Sequence, residues 1–194
     1  MTVKELVYAN RSYRRFDEEH IIKMDILEAL ADLGRMSPFG GNVQSLRYML
    51  SCDEKTNDAV FETLRWAKYF DNWSPVIGER PTAHIVMLNK PELFPNAWTE
   101  AGIAAQSILL GAVEFGLGGC MFRNIDRKRL KQNLNISDEY EILMVLALGK
   151  PTEIIKIDVL EEGENYKYWR DEKLVHHVPK RKLEDVILAT DYTD

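Results

Sequence analysis

The stretch Thr99–Gly119, TEAGIAAQSILLGAVEFGLGG, decides how the rest of the sequence is read. Ala101, Ile103, Ala104, Ala105, Ile108, Leu109, Leu110, Ala112 and Val113 leave it almost no polar face. A helix that is apolar nearly all round is buried on most sides. The glycines that follow Phe115 predict its end, since glycine takes the left-handed cap without steric cost. Gln106 and Glu114 interrupt the apolar run, and it is too short to cross a bilayer, so no membrane partner is expected.

Outward from that helix, single strands and helices alternate. Ala83–Leu88 and Ile142–Leu148 are apolar runs of strand length, the second stopped by Gly149 and Pro151. Thr2 and Glu5 have capping-box spacing, which starts a helix over Thr2–Ala9. Ile26, Leu27, Leu30 and Leu33 recur at helical spacing and predict a helix ending before Pro38. SPFGGN follows as a loop, then a strand over Leu46–Cys52, and then a helix capped by Asp53 that carries Val60, Phe61, Leu64 and Trp66. Asn72–Pro81 reads as a surface loop, Arg127–Leu134 as an amphipathic helix, and Leu183–Ala189 as a closing helix. The pattern predicts an α+β fold in one domain over 1–194, a sheet covered by helices, with about 152–194 as a C-terminal extension.

The chain has 194 residues, 45% of them hydrophobic, and a formal net charge of -6. That charge argues against a nucleic-acid partner, which wants a basic face. Two cysteines without Cys-x-x-Cys spacing fit a reducing cytoplasm rather than a disulfide framework. The N-terminus has no apolar run of signal-peptide type. His176 and His177 invite a metal, but neighbours on a strand point to opposite faces and no further ligand completes a set, so no metal is expected.

Four segments can carry chemistry. Arg11, Ser12, Arg14 and Arg15 suit a terminal phosphate because guanidinium forks pair with its oxygens, although a helix C-terminus favours positive charge anyway. Ser37–Gln44, SPFGGNVQ, combines glycines with the amides of Asn42 and Gln44, which fits either a planar heterocycle or an ordinary helix-to-strand loop. Gly116–Phe122, GLGGCMF, is a helix cap that can also bring backbone N–H groups to a ligand. It lacks the glycine spacing of a Rossmann site, and Cys120 has no evident base beside it. Lys180 and Arg181 form a second basic arm.

In this order the segments resemble the nitroreductase family. The family's Arg-Ser-x-Arg-x-Phe opening is matched by Arg11, Ser12, Arg14 and Phe16, and its Pro-Ser-x-x-Asn-x-Gln loop by Pro38, Gly41, Asn42 and Gln44. Its long helix running into Gly-Leu-Gly is matched by Glu100, Gly102, Ala105, Gln106 and Gly116–Gly118, its Gly-x-Pro strand end by Gly149 and Pro151, and its basic tail by Lys180, Arg181 and Leu183. Phe39 stands where the loop usually has serine, and Asn10 where many members have arginine.

The resemblance implies a nitroreductase-like fold: a central mixed or antiparallel sheet flanked by helices, with the C-terminal extension wrapping a partner subunit. It implies a homodimer binding FMN non-covalently, with both subunits lining each site. Arg11, Ser12, Arg14, Lys180 and Arg181 would hold the phosphate. Pro38, Phe39, Gly40, Asn42 and Gln44 would meet the ring and ribityl chain, and Gly118, Gly119 and Cys120 would lie over the redox edge. No side chain need be catalytic, because the cofactor carries the chemistry. NADH or NADPH would donate hydride, and a nitroaromatic, quinone or similar small molecule would accept electrons in a ping-pong cycle. Trp66, Tyr69, Phe70 and Trp73 would stack on substrate or flavin, with core packing as the alternative for Trp66 and Phe70. A flavin-binding protein with little turnover, or a dehalogenase-like or flavin-degrading enzyme, are the other activities this fold would admit.

Overall fold

The structure, a computed structural model, describes residues 1–188. The chain divides into two compact units. The first comprises Met1–Lys68 and Asn72–Thr152, and the second Tyr69–Asp71 with the described residues from Glu153 onward.

In the first unit the elements in chain order are α1 (Val3–Ala9), β1 (Phe16–Asp17), α2 (Met24–Arg35), β2 (Leu46–Ser51), α3 (Glu54–Phe61), β3 (Ala83–Asn89), α4 (Trp98–Glu114), β4 (Gly118–Phe122), α5 (Arg127–Leu134) and β5 (Glu141–Pro151). β5 is the spine of the sheet. It pairs with β3 on one side and with β4 and β1 on the other, while β2 lines the far edge of β3. Every strand pairing in this sheet is antiparallel.

The local signals act as physical chemistry predicts. Thr2 and Glu5 form a complete capping box, and Asp53 caps α3 through the Thr56 N–H. α3 stops at Phe61, so Leu64 and Trp66 lie beyond the helix expected to carry them. All seven residues of β3 are buried, because both faces of the sheet are covered. One core joins α2 and α4 to Ile85, Met87, Leu146 and Leu148. The other joins Val60, Trp66, Phe122 and Leu130 to Val86, Val145 and Ala147. Strand alternation delivers side chains to both.

The chain beyond Phe115 departs from expectation. Gly116 takes the left-handed cap at φ +70°, but Gly118–Phe122 is a strand and not the tail of a turn. Its glycines are a packing requirement: a Cβ at Gly119 would lie 2.6 Å from the Ala147 carbonyl oxygen and 2.8 Å from Leu109 of α4. α2 and α4 approach each other in the same manner. A Cβ on Gly34 would meet Ile108 at 2.9 Å, and one on Gly111 would meet Leu33 at 2.2 Å.

The second unit holds a three-stranded sheet made of β6 (Ile155–Leu160), β7 (Trp169–Arg170) and β8 (His176–Arg181), in the order β6-β8-β7. β6 and β8 run parallel, β7 and β8 antiparallel. His176 and His177 point to opposite faces of β8. His176 is buried beside the Glu153 carboxylate, which Arg170 holds at 2.6 Å, and rests against Phe70 and Tyr168. His177 stacks on Trp169 at 4.0 Å and meets Asp158 at 2.6 Å, which holds that carboxyl below its usual range. The helix expected over Leu183–Ala189 is only a turn within the described residues, and Ala189 lies outside them. Leu183 and Leu188 are exposed, so no apolar face is buried to extend the turn.

One buried polar knot ties α3 to the sheet. Asn57 Oδ1 accepts from the Ser51 hydroxyl and faces His84 Nδ1 at 3.0 Å, while its amide donates to the Thr82 carbonyl. Burial pushes the His84 pKa down to about 3. The unfolded chain therefore binds a proton between that value and about pH 6.5 that the native chain refuses. His84 contributes no penalty above this window, and stability is lost as pH falls through it, by about 1.4 kcal/mol per pH unit. Urea titrations from pH 7 to pH 3.5 (an acid limb of roughly this span) are expected to show a shallower loss in His84→Gln. An unchanged slope would mean that His84 titrates as an exposed histidine does.

Candidate functional site

The loop between α2 and β2 is held at both ends. The Ser37 hydroxyl donates to the Leu33 carbonyl and lies 2.8 Å from Ser107 Oγ, and Phe39 packs edge-on against Phe94 at 5.3 Å between ring centres. Gly40, Gly41 and Asn42 form one 3₁₀ turn. Gly41, Asn42 and Gln44 all have left-handed backbones, at φ 58°, 55° and 54°. Glycine adopts this conformation freely and asparagine tolerates it, but glutamine does so at a cost of about 1 kcal/mol or more. Arg47 anchors the exit by donating to the Gln44 and Leu46 carbonyls.

This loop forms one wall of a cavity of about 500 Å³, closed by α2, β2 and the start of α4. Phe39, Leu46, Tyr48 and Ala104 give it an apolar lining, and Gln44 and Glu100 give it polar groups. Burial pushes the Tyr48 hydroxyl up to about 12. Glu100 stands in the first turn of α4, is only 9% exposed, and keeps its Oε2 buried without a hydrogen-bond partner. Its signal in the sequence is a lone carboxylate at the opening of an otherwise apolar helix.

The N-terminal arm lies on β4. Ser12 bridges Gly119 in parallel fashion, and the Tyr13 N–H donates to the Gly119 carbonyl at 3.0 Å. Arg11 donates to the Val7 and Asn10 carbonyls at the end of α1, so it fills the helix-terminal role left open above, and carbonyls rather than carboxylates receive it. Arg14 donates to the Ser12 carbonyl at 3.2 Å. Arg15 makes a two-pronged ion pair with Glu79. Its guanidinium is thereby withdrawn from any phosphate.

Gly118, Gly119 and Cys120 are buried within β4, where an exposed turn was expected. They adjoin Ser12 but are far from the Pro38–Gln44 loop. Leu46 is level with Asn89 and Glu141, while Gly118 is level with Gly149, at the other end of β5. β2 and β4 are three strand spacings apart, about 14 Å, and the eight residue steps of β5 from Glu141 to Gly149 add about 27 Å along the strands. The two segments therefore occupy diagonal corners of one sheet, roughly 30 Å apart.

The remaining expected residues fall elsewhere. Trp66 is buried among Phe61, Trp73 and Phe122, which is the core-packing alternative. Tyr69 and Phe70 belong to the second unit, packed on Tyr168, with Arg170 over the Phe70 ring. Lys180 and Arg181 are exposed at the end of β8. Among the described residues no cluster of His, Cys, Asp or Glu could hold a metal, and no helix is long and apolar enough to cross a membrane.

Known proteins share this architecture. Residues 7–150 match the model of the Nitroreductase family. A nitroreductase family protein from Clostridium novyi NT superposes with a TM-score of 0.68 at 20% identity, over 78% of this chain and 86% of that one. An FMN-dependent nitroreductase from Clostridium difficile R20291 does so with a TM-score of 0.66 at 17% identity, over 96% and 98%. Protein DrgA from Synechocystis sp. (strain ATCC 27184 / PCC 6803 / Kazusa) is 21% identical over 180 residues, 79% of this chain and 86% of its own.

The left-handed glutamine gives a test of what the loop is built for. Gln44→Gly is expected to raise stability by about 0.5 kcal/mol, since relief of strain slightly exceeds the added freedom of the unfolded chain. Urea midpoints at constant m-value would report it. A loss of stability would show that the side chain itself holds the loop.

Proposed function

Because this chain belongs to the nitroreductase family, we propose that it is an FMN-dependent oxidoreductase taking electrons from NADH or NADPH and passing them to a small organic acceptor. The reading is supported above all by the arm at Gly119, which sets a hydroxyl and cationic side chains beside the two glycines that open β4. Among the described residues Arg11 bonds to the Val7 and Asn10 carbonyls and to no carboxylate, and Ser12 is exposed, so the donor set suits the oxygens of a phosphate. The loop offers what a flavin ring needs: amides at Asn42 and Gln44, backbone with φ above zero, and an aromatic neighbour in Phe39. The residues present therefore fit the cofactor.

In this reading Arg11, Ser12 and Arg14, with Lys180 and Arg181, bind the phosphate. Pro38, Phe39, Gly40, Asn42 and Gln44 orient the ring and ribityl chain, and Gly118–Cys120 lines its redox edge. The diagonal placement of the loop and β4 in one copy favours a site shared between two copies of the chain, since the gap exceeds the reach of one three-ring heterocycle. Bound FMN would supply the two-electron chemistry, and the chain's own residues hold it, exclude water and leave room for donor and acceptor in turn.

The purified protein is expected to show flavin absorbance bands that bleach with NADH or NADPH under anaerobic conditions. Bands that persist would indicate a flavin-binding protein with little turnover, and no bands after FMN addition would refute the reading. Arg14→Ala and Arg181→Ala should each weaken FMN binding about ten- to a hundredfold, the worth of one charged contact. Arg15→Ala, which breaks the Glu79 pair, should leave it within about threefold. Fluorescence titration of FMN distinguishes these outcomes.

A further inference from the structure

Glu100 is a buried carboxyl group, one oxygen of which, Oε2, has no hydrogen-bond partner among the described residues. It lines the cavity of about 500 Å³ between α2, β2 and α4. Neither arginine of the cavity serves it. Arg35 pairs with Asp32 at 2.7 Å, and Arg47 donates to the Gln44 and Leu46 carbonyls. Burying such a group without partners costs stability, and an apolar or amide side chain would avoid the cost. The first turn of α4 offsets part of it, because the unpaired N–H groups of a helix start favour negative charge. Gly40 also makes room for the group: a Cβ there would stand 3.0 Å from Glu100 Oε1. Glu100 is thus held at the cavity lining, with its Oε2 sealed from solvent and unpaired among the described residues.

The remaining lining narrows what it would receive. Phe39 and Tyr48 supply aromatic walls, Leu46, Leu50 and Ala104 apolar ones, and the volume suits a ring compound. Glu28 and Asp32 add two further carboxylates to the lining against the two arginines, so the balance is acidic. A carboxylate pairs best with two parallel N–H donors on a planar cation. We infer that this cavity is a binding site for a planar aromatic ligand carrying an amidinium or a protonated amino-heterocycle, whose N–H groups meet Glu100. The assignment shares Phe39 and Gln44 with the flavin reading but does not require flavin, and its occupant is distinct in charge from the phosphate-bearing cofactor.

Benzamidine is the probe, titrated calorimetrically into the full-length protein with FMN added in excess and again without it. Saturable binding at one molecule per chain is expected without FMN, and weaker apparent binding with it, since the flavin reading also places its ring against Phe39 and Gln44. Glu100→Gln should weaken it about ten- to a hundredfold, and uncharged benzamide should bind wild type less tightly by a similar factor. The ligand-free Glu100→Gln protein should melt above wild type, since it no longer buries an orphan charge. In wild-type protein, benzamidine should shift amide resonances around Phe39, Gln44 and Ala104, a measurement that needs no variant. No saturable binding, equal affinity in wild type and Glu100→Gln, or shifts centred elsewhere would each overturn the assignment. A protein that binds benzamidine in this way but never takes up FMN would retain this site and lose only the flavin reading.

Discussion

The close packing of α2 against α4 is the contact on which the rest of the first unit depends. Gly34 of one helix receives Ile108 of the other, and Gly111 returns the arrangement by receiving Leu33. Branched side chains entering glycine gaps let two backbones come near enough to share one core with the sheet. The spacing then fixes what hangs from each helix. The loop leaves α2 two residues after its last turn, and Glu100 opens α4, so the cavity between them has its width set by those two glycines.

Much of this was legible in the sequence because it is written locally. The capping box, the apolar run of α4, and the buried runs of β3 and β5 each identify themselves within a dozen residues, whereas the antiparallel pairing of the strands had no local signal. β4 was not legible. Its glycines look like punctuation, and their reason is the Ala147 carbonyl and Leu109, neither of which is a neighbour in sequence. The small sheet of the second unit was hidden for a related cause. β7 has two residues, β6 is mostly solvent-facing, and their partner β8 comes last in the chain. Pairing between distant short segments leaves no periodic trace.

The candidate site divides in the same way. Arg11, Ser12 and Arg14 stood out by composition, yet only the fold separates Arg15, which Glu79 takes, from its neighbours. The aromatic stretch from Trp66 to Trp73 reads as one surface in sequence but splits in space, because Trp66 and Trp73 enter a core while Tyr69 and Phe70 join Tyr168. The handedness of Gln44 had no signal at all, since glutamine carries no preference for that conformation. A positive φ at such a residue is a cost that a neighbouring element must impose, here Arg47 clasping the loop from β2.

The diagonal placement of the loop and the glycine strand has a consequence for inheritance. If one ring draws on the loop of one copy and the strand of another, damage to the two segments is separable. A mixed pair, with one copy broken at Gln44 and the other at Arg14, would concentrate both lesions in one site and leave the second site whole. Two alleles that are each inactive alone would then restore each other in a cell that expresses both. Selection would see the two corners of the sheet as different genes, although they lie on one polypeptide.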